Sequence, residues 1–234
     1  MYFIGSGALL YHAADYALAS GLKVAGICCP PGDPATPKLR NRGMAVVQSH
    51  DPNEEMLPLM EAGGIVFSIN NKQILGDELL SAGAKFFNVH NGLVQKYRGI
   101  AEVCIFAALC RGENRYGVTL QQLLPRQKVD TGPVVAQIEF PIGEADCFSD
   151  VLQHSLDACR RIFESNVRNI ASNSYDTAVL ETAPSALTYR DVASLYAQAD
   201  PSHRTRAAQL GRYSGFFPKL RALIQSAQTA RSPA

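Results

Sequence analysis

Short apolar runs alternate with amphipathic stretches through the first two-thirds of the chain, and that alternation limits the folds open to it. Tyr2-Phe3-Ile4, Lys23 to Cys28, Met44 to Val47, Ile65 to Ile69, Phe86 to His90, Tyr116 to Leu120 and Pro133 to Phe140 read as strands. Ala8 to Ala19, Pro52 to Ala62 and Ala101 to Cys110 read as helices. Cys29 to Arg42, with four prolines and a glycine, reads as a loop. A long helix from Phe148 to Ile170 carries Val151, Leu152, Leu156, Cys159, Ile162 and Phe163 at helical spacing. Strands this continuously apolar must be covered on both faces, which parallel sheets achieve through helical crossovers. The expected class is therefore α/β, with a Rossmann-like, mainly parallel sheet, helices on both faces and a short helical C-terminal extension. The last two strands have no helix between them, which suggests an antiparallel edge.

Composition narrows the function classes. With 47% hydrophobic residues the 234-residue chain can build a substantial core. A formal net charge of +1 argues against a general electrostatic binder of nucleic acid. The six cysteines form no C-x-x-C pair, so no metal site is expected. Reduced thiols, a first strand without a basic leader and no apolar run of membrane length point to a cytoplasmic protein with no membrane partner.

Three sets of residues carry chemistry. Gly5-Ser6-Gly7 follows a strand and opens a helix, as in a dinucleotide fingerprint, but Leu10 stands at the third glycine position. The second strand ends in Cys28-Cys29-Pro30 with no acidic residue for a ribose, so the glycines are expected only to make a tight turn. Asn88 and His90, two residues apart at the end of an apolar run, face the same side of a strand. A histidine there is by itself no more than a satisfied polar group, yet strand carboxyl ends are where open α/β sheets bind ligands. Asp130, in Val129-Asp130-Thr131-Gly132, caps a turn on the plain reading and pairs with an imidazole on the functional one.

The order Asn88-Val89-His90, Tyr97-Arg98-Gly99, Gly117-Val118-Thr119, Asp130-Thr131-Gly132 resembles the formyltransferase family that uses 10-formyltetrahydrofolate. The resemblance spans Met1 to Phe140 and is strongest from Ile65 to Gly132. It implies Asn88, His90 and Asp130 as the catalytic trio, with 10-formyltetrahydrofolate as co-substrate. It also implies that the pterin is clasped by the segment Asn70 to Leu75, with Asn71, Lys72 and Ile74 at the matching positions. The loop from Leu123 to Asp130 would supply the other wall, through Gln127, Val129 and Asp130. In the family the loop ending in Tyr97-Arg98-Gly99 walls the site; Arg98 would serve equally as a bridge between loop carbonyls. Two features depart from the family pattern. Val94-Gln95 stands where Leu-Pro is frequent, and the Leu123 to Val129 loop lacks the acidic-Gly element before the aspartate.

Composition shifts near Ala171 to Ser185, which suggests a catalytic domain over 1–185 and a helical extension or linker over 186–234. From Arg190 onward the tail carries seven Lys/Arg against two Asp, and Tyr189 to Ala197 reads as a helix. It does not read as the β-barrel that the initiator-tRNA enzymes of this family carry, so tRNA is not the expected acceptor. The expected acceptor is an amino acid on a peptide-synthetase carrier protein or adjoining synthetase domain, or another small metabolite, with a nucleotide-linked amino sugar as the alternative. A catalytically idle Rossmann-like binding module is the alternative from another class. The tail either docks a carrier or packs Leu210, Phe216, Leu220, Leu223 and Ile224 on the core.

Overall fold

The computed structural model describes residues 1–230. Its sheet has seven strands in the order β3-β2-β1-β4-β5-β6-β7. These are β1 (Tyr2–Gly5), β2 (Gly26–Cys29), β3 (Val46–Gln48), β4 (Ile65–Ile69), β5 (Lys85–His90), β6 (Arg115–Leu123) and β7 (Val134–Pro141). The first five run parallel, and β6 pairs antiparallel with β5. Gln122 N donates to Pro133 O, and the Gln137 amide reaches Thr119, so β7 folds back along β6. The parallel Rossmann-like order and the antiparallel end both match the sequence expectation.

Helices α1 (Gly7–Ala19), α5 (Ala101–Cys110) and α6 (Phe148–Ala171) fall where apolar periodicity puts them. Other segments differ from expectation. The proline-rich loop contains a helix, α2 (Ala35–Asn41). Asp33 caps it by accepting Ala35 N at 2.8 Å, and Pro37 lies in the first turn, where no intrahelical N–H is required. The helix expected from Pro52 to Ala62 stops early as α3 (Pro52–Met56), because Pro58 cannot continue it and the chain tightens into a 3₁₀ turn over Leu57–Leu59. A short helix, α4 (Asp77–Leu80), has too few residues to show a period. Beyond Thr188 the described residues form three α-helices, α7 (Val192–Gln198), α8 (Pro201–Ala208) and α9 (Pro218–Thr229).

The chain divides into two compact units. The first comprises Met1–His90, Thr119–Gln137 and Cys159–Leu180. On one face of its strands Phe67 stacks on Phe3 and Phe87 and meets Phe163 of α6 edge-on at 5.0 Å. On the other face Tyr2, Ile4, Cys28, Val66 and Phe86 bury themselves with Met56, Leu75 and Leu79. The second unit comprises Asn91–Val118, Ile138–Ala158 and Glu181–Ala234. Its centre is α5, buried along its whole length from Glu102 to Cys110. Leu187 N donates to Arg98 O, Ile100 N donates to Leu187 O, and the Arg98 guanidinium donates to Ala183 O. A Cβ on Gly99 would lie 2.3 Å from Leu187 O, so only glycine admits this crossing. Of the two readings of Arg98, the structure shows the bridge to a loop carbonyl.

Candidate active site

The strand face that buries Phe86 becomes polar as β5 approaches its carboxyl end. Alternation places Phe86, Asn88 and His90 on one side, and the antiparallel register sets them opposite Leu123, Gln121 and Thr119. Along the ladder one apolar pair, Phe86 with Leu123, gives way to two polar ones, Asn88 with Gln121 and His90 with Thr119. The β3-β2-β1-β4 order reverses direction at β1 and β4, and the carboxyl ends of such strands form the ligand crevice of open α/β sheets.

Asp130 reaches this strand end from the loop after β6. Its Oδ2 lies 3.4 Å from His90 Nδ1, with His90 5% and Asp130 6% exposed. Its Oδ1 accepts a hydrogen bond of 2.9 Å from Gln121 Nε2. The backbone is shaped for this approach. Asp130 takes a left-handed conformation, φ 55°, which costs a non-glycine residue about 1 kcal/mol. Two residues on, a Cβ at Gly132 would sit 1.8 Å from Gln122 O, so the loop closes against β6 only with glycine there. The Asp-x-Gly spacing is the local reason that the carboxylate and the imidazole meet.

Two further loops flank the trio. In the first, Asn70 is left-handed, φ 49°, and its amide donates to Ser6 O at 3.1 Å. The Asn71 side chain closes its own turn, accepting from Gln73 N and donating to Gln73 O. Asn53 holds the end of this loop, donating to Ile74 O and accepting from Gly76 N. The second loop carries Arg126, also left-handed, whose backbone N donates to Asp77 Oδ1 at 2.7 Å and so ties the two loops together. Ile74 is 74% and Val129 45% exposed, apolar side chains presented to solvent from either loop. Lys72 and Gln127 are exposed on the same two loops.

The glycine turn after β1 is closed from within. A Cβ at Gly5 would lie 1.8 Å from Ile69 O, so the residue permits the close approach of β1 and β4. The N-terminus of α1, where a nucleotide phosphate would sit in a dinucleotide site, instead receives Asp33, whose two carboxylate oxygens accept Gly7 N at 3.1 and 3.0 Å. Among the described residues no group of three His, Cys, Asp or Glu is placed to hold a metal ion.

A family profile described as formyl transferase matches residues 46–167, more than half of the chain. The chain belongs to the formyl transferase family. Solved structures of similar fold include the N-formyltransferase from Helicobacter canadensis, in complex with folinic acid and dTDP-3-aminofucose. It has a TM-score of 0.72 and 19% identity, over 88% of this chain and 79% of that one. A 4-N formyltransferase from Francisella tularensis gives a TM-score of 0.71 at 14% identity, over 88% of this chain and 87% of that one. The phosphoribosylglycinamide formyltransferase from Bacillus halodurans gives 0.63 at 20% identity, over 74% of this chain and 95% of that one.

In this formyl transferase, the residues singled out by sequence divide into two groups. His90 and Asp130 come together, with Asn88 on the same strand face, while Asn71, Lys72, Ile74, Gln127 and Val129 lie on the two loops tied through Asp77 and Arg126. Sequence reasoning did not single out Gln121, Asp77 or Asp33, and it took Thr119 only as part of the Gly117-Val118-Thr119 motif. Thr119 and Gln121 repeat the two-residue spacing of Asn88 and His90. That spacing becomes informative once the strands are known to pair antiparallel in this register.

Proposed function

We propose that this formyl transferase moves a formyl group from 10-formyltetrahydrofolate to the primary amine of a small, nucleotide-linked amino sugar, with Asn88, His90 and Asp130 as its catalytic residues. The observation that carries the reading is the buried His90–Asp130 pair at the strand end, with Asn88 on the same face.

The two tied loops fit the donor. A flat heteroaromatic ring has an apolar face and polar edges, and the loops offer exposed Ile74 and Val129 beside backbone N–H and C=O groups. Formyl transfer develops negative charge on the formyl oxygen when the amine forms its new C–N bond. The Asn88 amide and the His90 imidazolium donate to that oxygen, one such donor being worth about 3 kcal/mol in the transition state. Asp130 faces His90 Nδ1, holds the ring's orientation and balances its charge. The attacking amine loses a proton as the C–N10 bond breaks, and N10 leaves carrying one, so the proton count balances across N-formyl product and tetrahydrofolate. Asp130, through an ordered water, is the base for that proton.

Support for the acceptor comes from sugar N-formyltransferases, whose solved structures align over 88% of this chain. The test is incubation with 10-formyltetrahydrofolate and dTDP-3-aminofucose, read by mass spectrometry. A product heavier by one formyl group, formed with release of tetrahydrofolate, is expected; its absence removes this acceptor. The second reading, an amino acid on a carrier protein, draws on Phe216, 71% exposed near Arg212 and Lys219 in the sequence. A carrier-bound amine formylated in preference to the sugar would favour it.

A further inference from the structure

The trio does not account for Gln121. This side chain is fully buried on β6, directly across the ladder from Asn88. Its Nε2 donates to Asp130 Oδ1 at 2.9 Å, while Asp130 Oδ2 faces His90. A carboxylate only accepts, so the amide must present its nitrogen here. Turned over, it would set oxygen against oxygen. The consequence is visible on the other side of the amide, where Gln121 Oε1 is buried with no hydrogen-bond partner. Buried polar atoms are ordinarily satisfied. One left unpaired so that its neighbour can hold a catalytic carboxylate is the kind of local conflict found where function sets the geometry.

We propose that Gln121 is a positioning residue for formyl transfer: its amide fixes the Asp130 carboxylate so that the second oxygen stays aimed at His90. Asp130 sits on a left-handed residue in a loop that closes only through Gly132, so backbone geometry brings the carboxylate near, and Gln121 fixes its rotation. The donor is neutral. It holds the carboxylate through a hydrogen bond without adding a charge to the pair. The inference rests on the reading of Asn88, His90 and Asp130 as catalytic.

The test needs no acceptor: crystal structures of the wild type and of Gln121→Leu, which removes the donor at similar volume, compare the Asp130 carboxylate. Its rotation away from His90 is expected, with turnover lowered at least about tenfold and 5-formyltetrahydrofolate affinity within about twofold of wild type. If the leucine variant does not fold, Gln121→Met serves, an unbranched side chain of similar length without a donor. An Asp130 carboxylate still aimed at His90 in the folded variant overturns the proposal. His90→Ala, assayed beside them, separates the two levels. Full turnover in that variant removes the catalytic reading, whereas impaired turnover with the Asp130 carboxylate unmoved in the Gln121 variant removes the role of Gln121 alone.

Discussion

At the scale of single residues, the site is a set of side chains whose partners are chosen by strand register. His90 is nearly sealed from solvent with the Asp130 carboxylate 3.4 Å from its Nδ1, and in the proposed mechanism that carboxylate orients the ring. His90→Ala should therefore lower turnover at least about a hundredfold while leaving folate affinity nearly unchanged, because the imidazole acts on charge that exists only at the transition state. Comparing kcat with the 5-formyltetrahydrofolate dissociation constant checks this; equal losses in both would mean that His90 serves binding or folding. The meeting of His90 and Asp130 was legible in the sequence because both sit in motifs of fixed spacing. Gln121 was not, since an amide in an apolar strand acquires meaning only from the strand beside it. Asp33 was missed for a related reason: its targets, Gly7 N and Ala35 N, are backbone groups with no residue signature.

At the scale of elements, the working parts are loops held by a rigid sheet. Among the described residues, three of the four left-handed non-glycine residues, Asn70, Arg126 and Asp130, lie in the two loops that flank His90. Such conformations persist where surrounding hydrogen bonds over-determine them, here the Asn70–Ser6 and Arg126–Asp77 contacts. The loops are thus set in shape before a ligand arrives, with apolar side chains still exposed. Binding of 5-formyltetrahydrofolate should slow amide exchange over Asn70 to Leu75 and Leu123 to Asp130 with little change in the strands. Protection confined to Gly5 to Leu10 would instead place a ligand at the first turn and count against the folate reading. The strands and long helices were legible because their burial is periodic. Helix α2 was hidden because its one proline, Pro37, falls in its first turn, where it does no harm, and α4 because four residues are too few to show a period.

At the scale of the whole molecule, the C-terminal segment is integral to the second unit. Tyr189 donates to the buried Glu102 carboxylate at 2.6 Å, and burial with that neighbouring charge pushes the phenol's pKa up. Leu210, Leu220 and Ile224 are buried as the packing alternative expects, whereas Leu223 is half-buried and Phe216 stands out in solvent. We propose that 1–185 is the catalytic domain and 186–234 its helical extension. Truncation after Ser185 should then lower the melting temperature and lose turnover alike on small and carrier-bound amines; loss on the carrier-bound amine alone would make the tail a docking element. The thiols give a second test. Burial pushes Cys28 up to about 11 and Cys110 and Cys159 up to about 12, from 9.0. An unfolded chain ionises these thiols nearer 9.0, so the stability they contribute is complete below that pH and is lost as pH rises toward the folded values. Urea midpoints should be level at neutral pH and decline above about pH 9. Alkylation of the folded protein should mark the half-buried Cys147 first; early labelling of Cys110 or Cys159 would contradict the burial.

The carboxylate of Asp33 at the start of α1 makes the chain its own competitive inhibitor for anions at that turn. A tethered group acts at an effective concentration that for short flexible connections is in the millimolar range. Dissolved phosphate or sulfate must displace it rather than fill an open cradle. Buffers that occupy such turns in other α/β proteins should leave this one undisturbed.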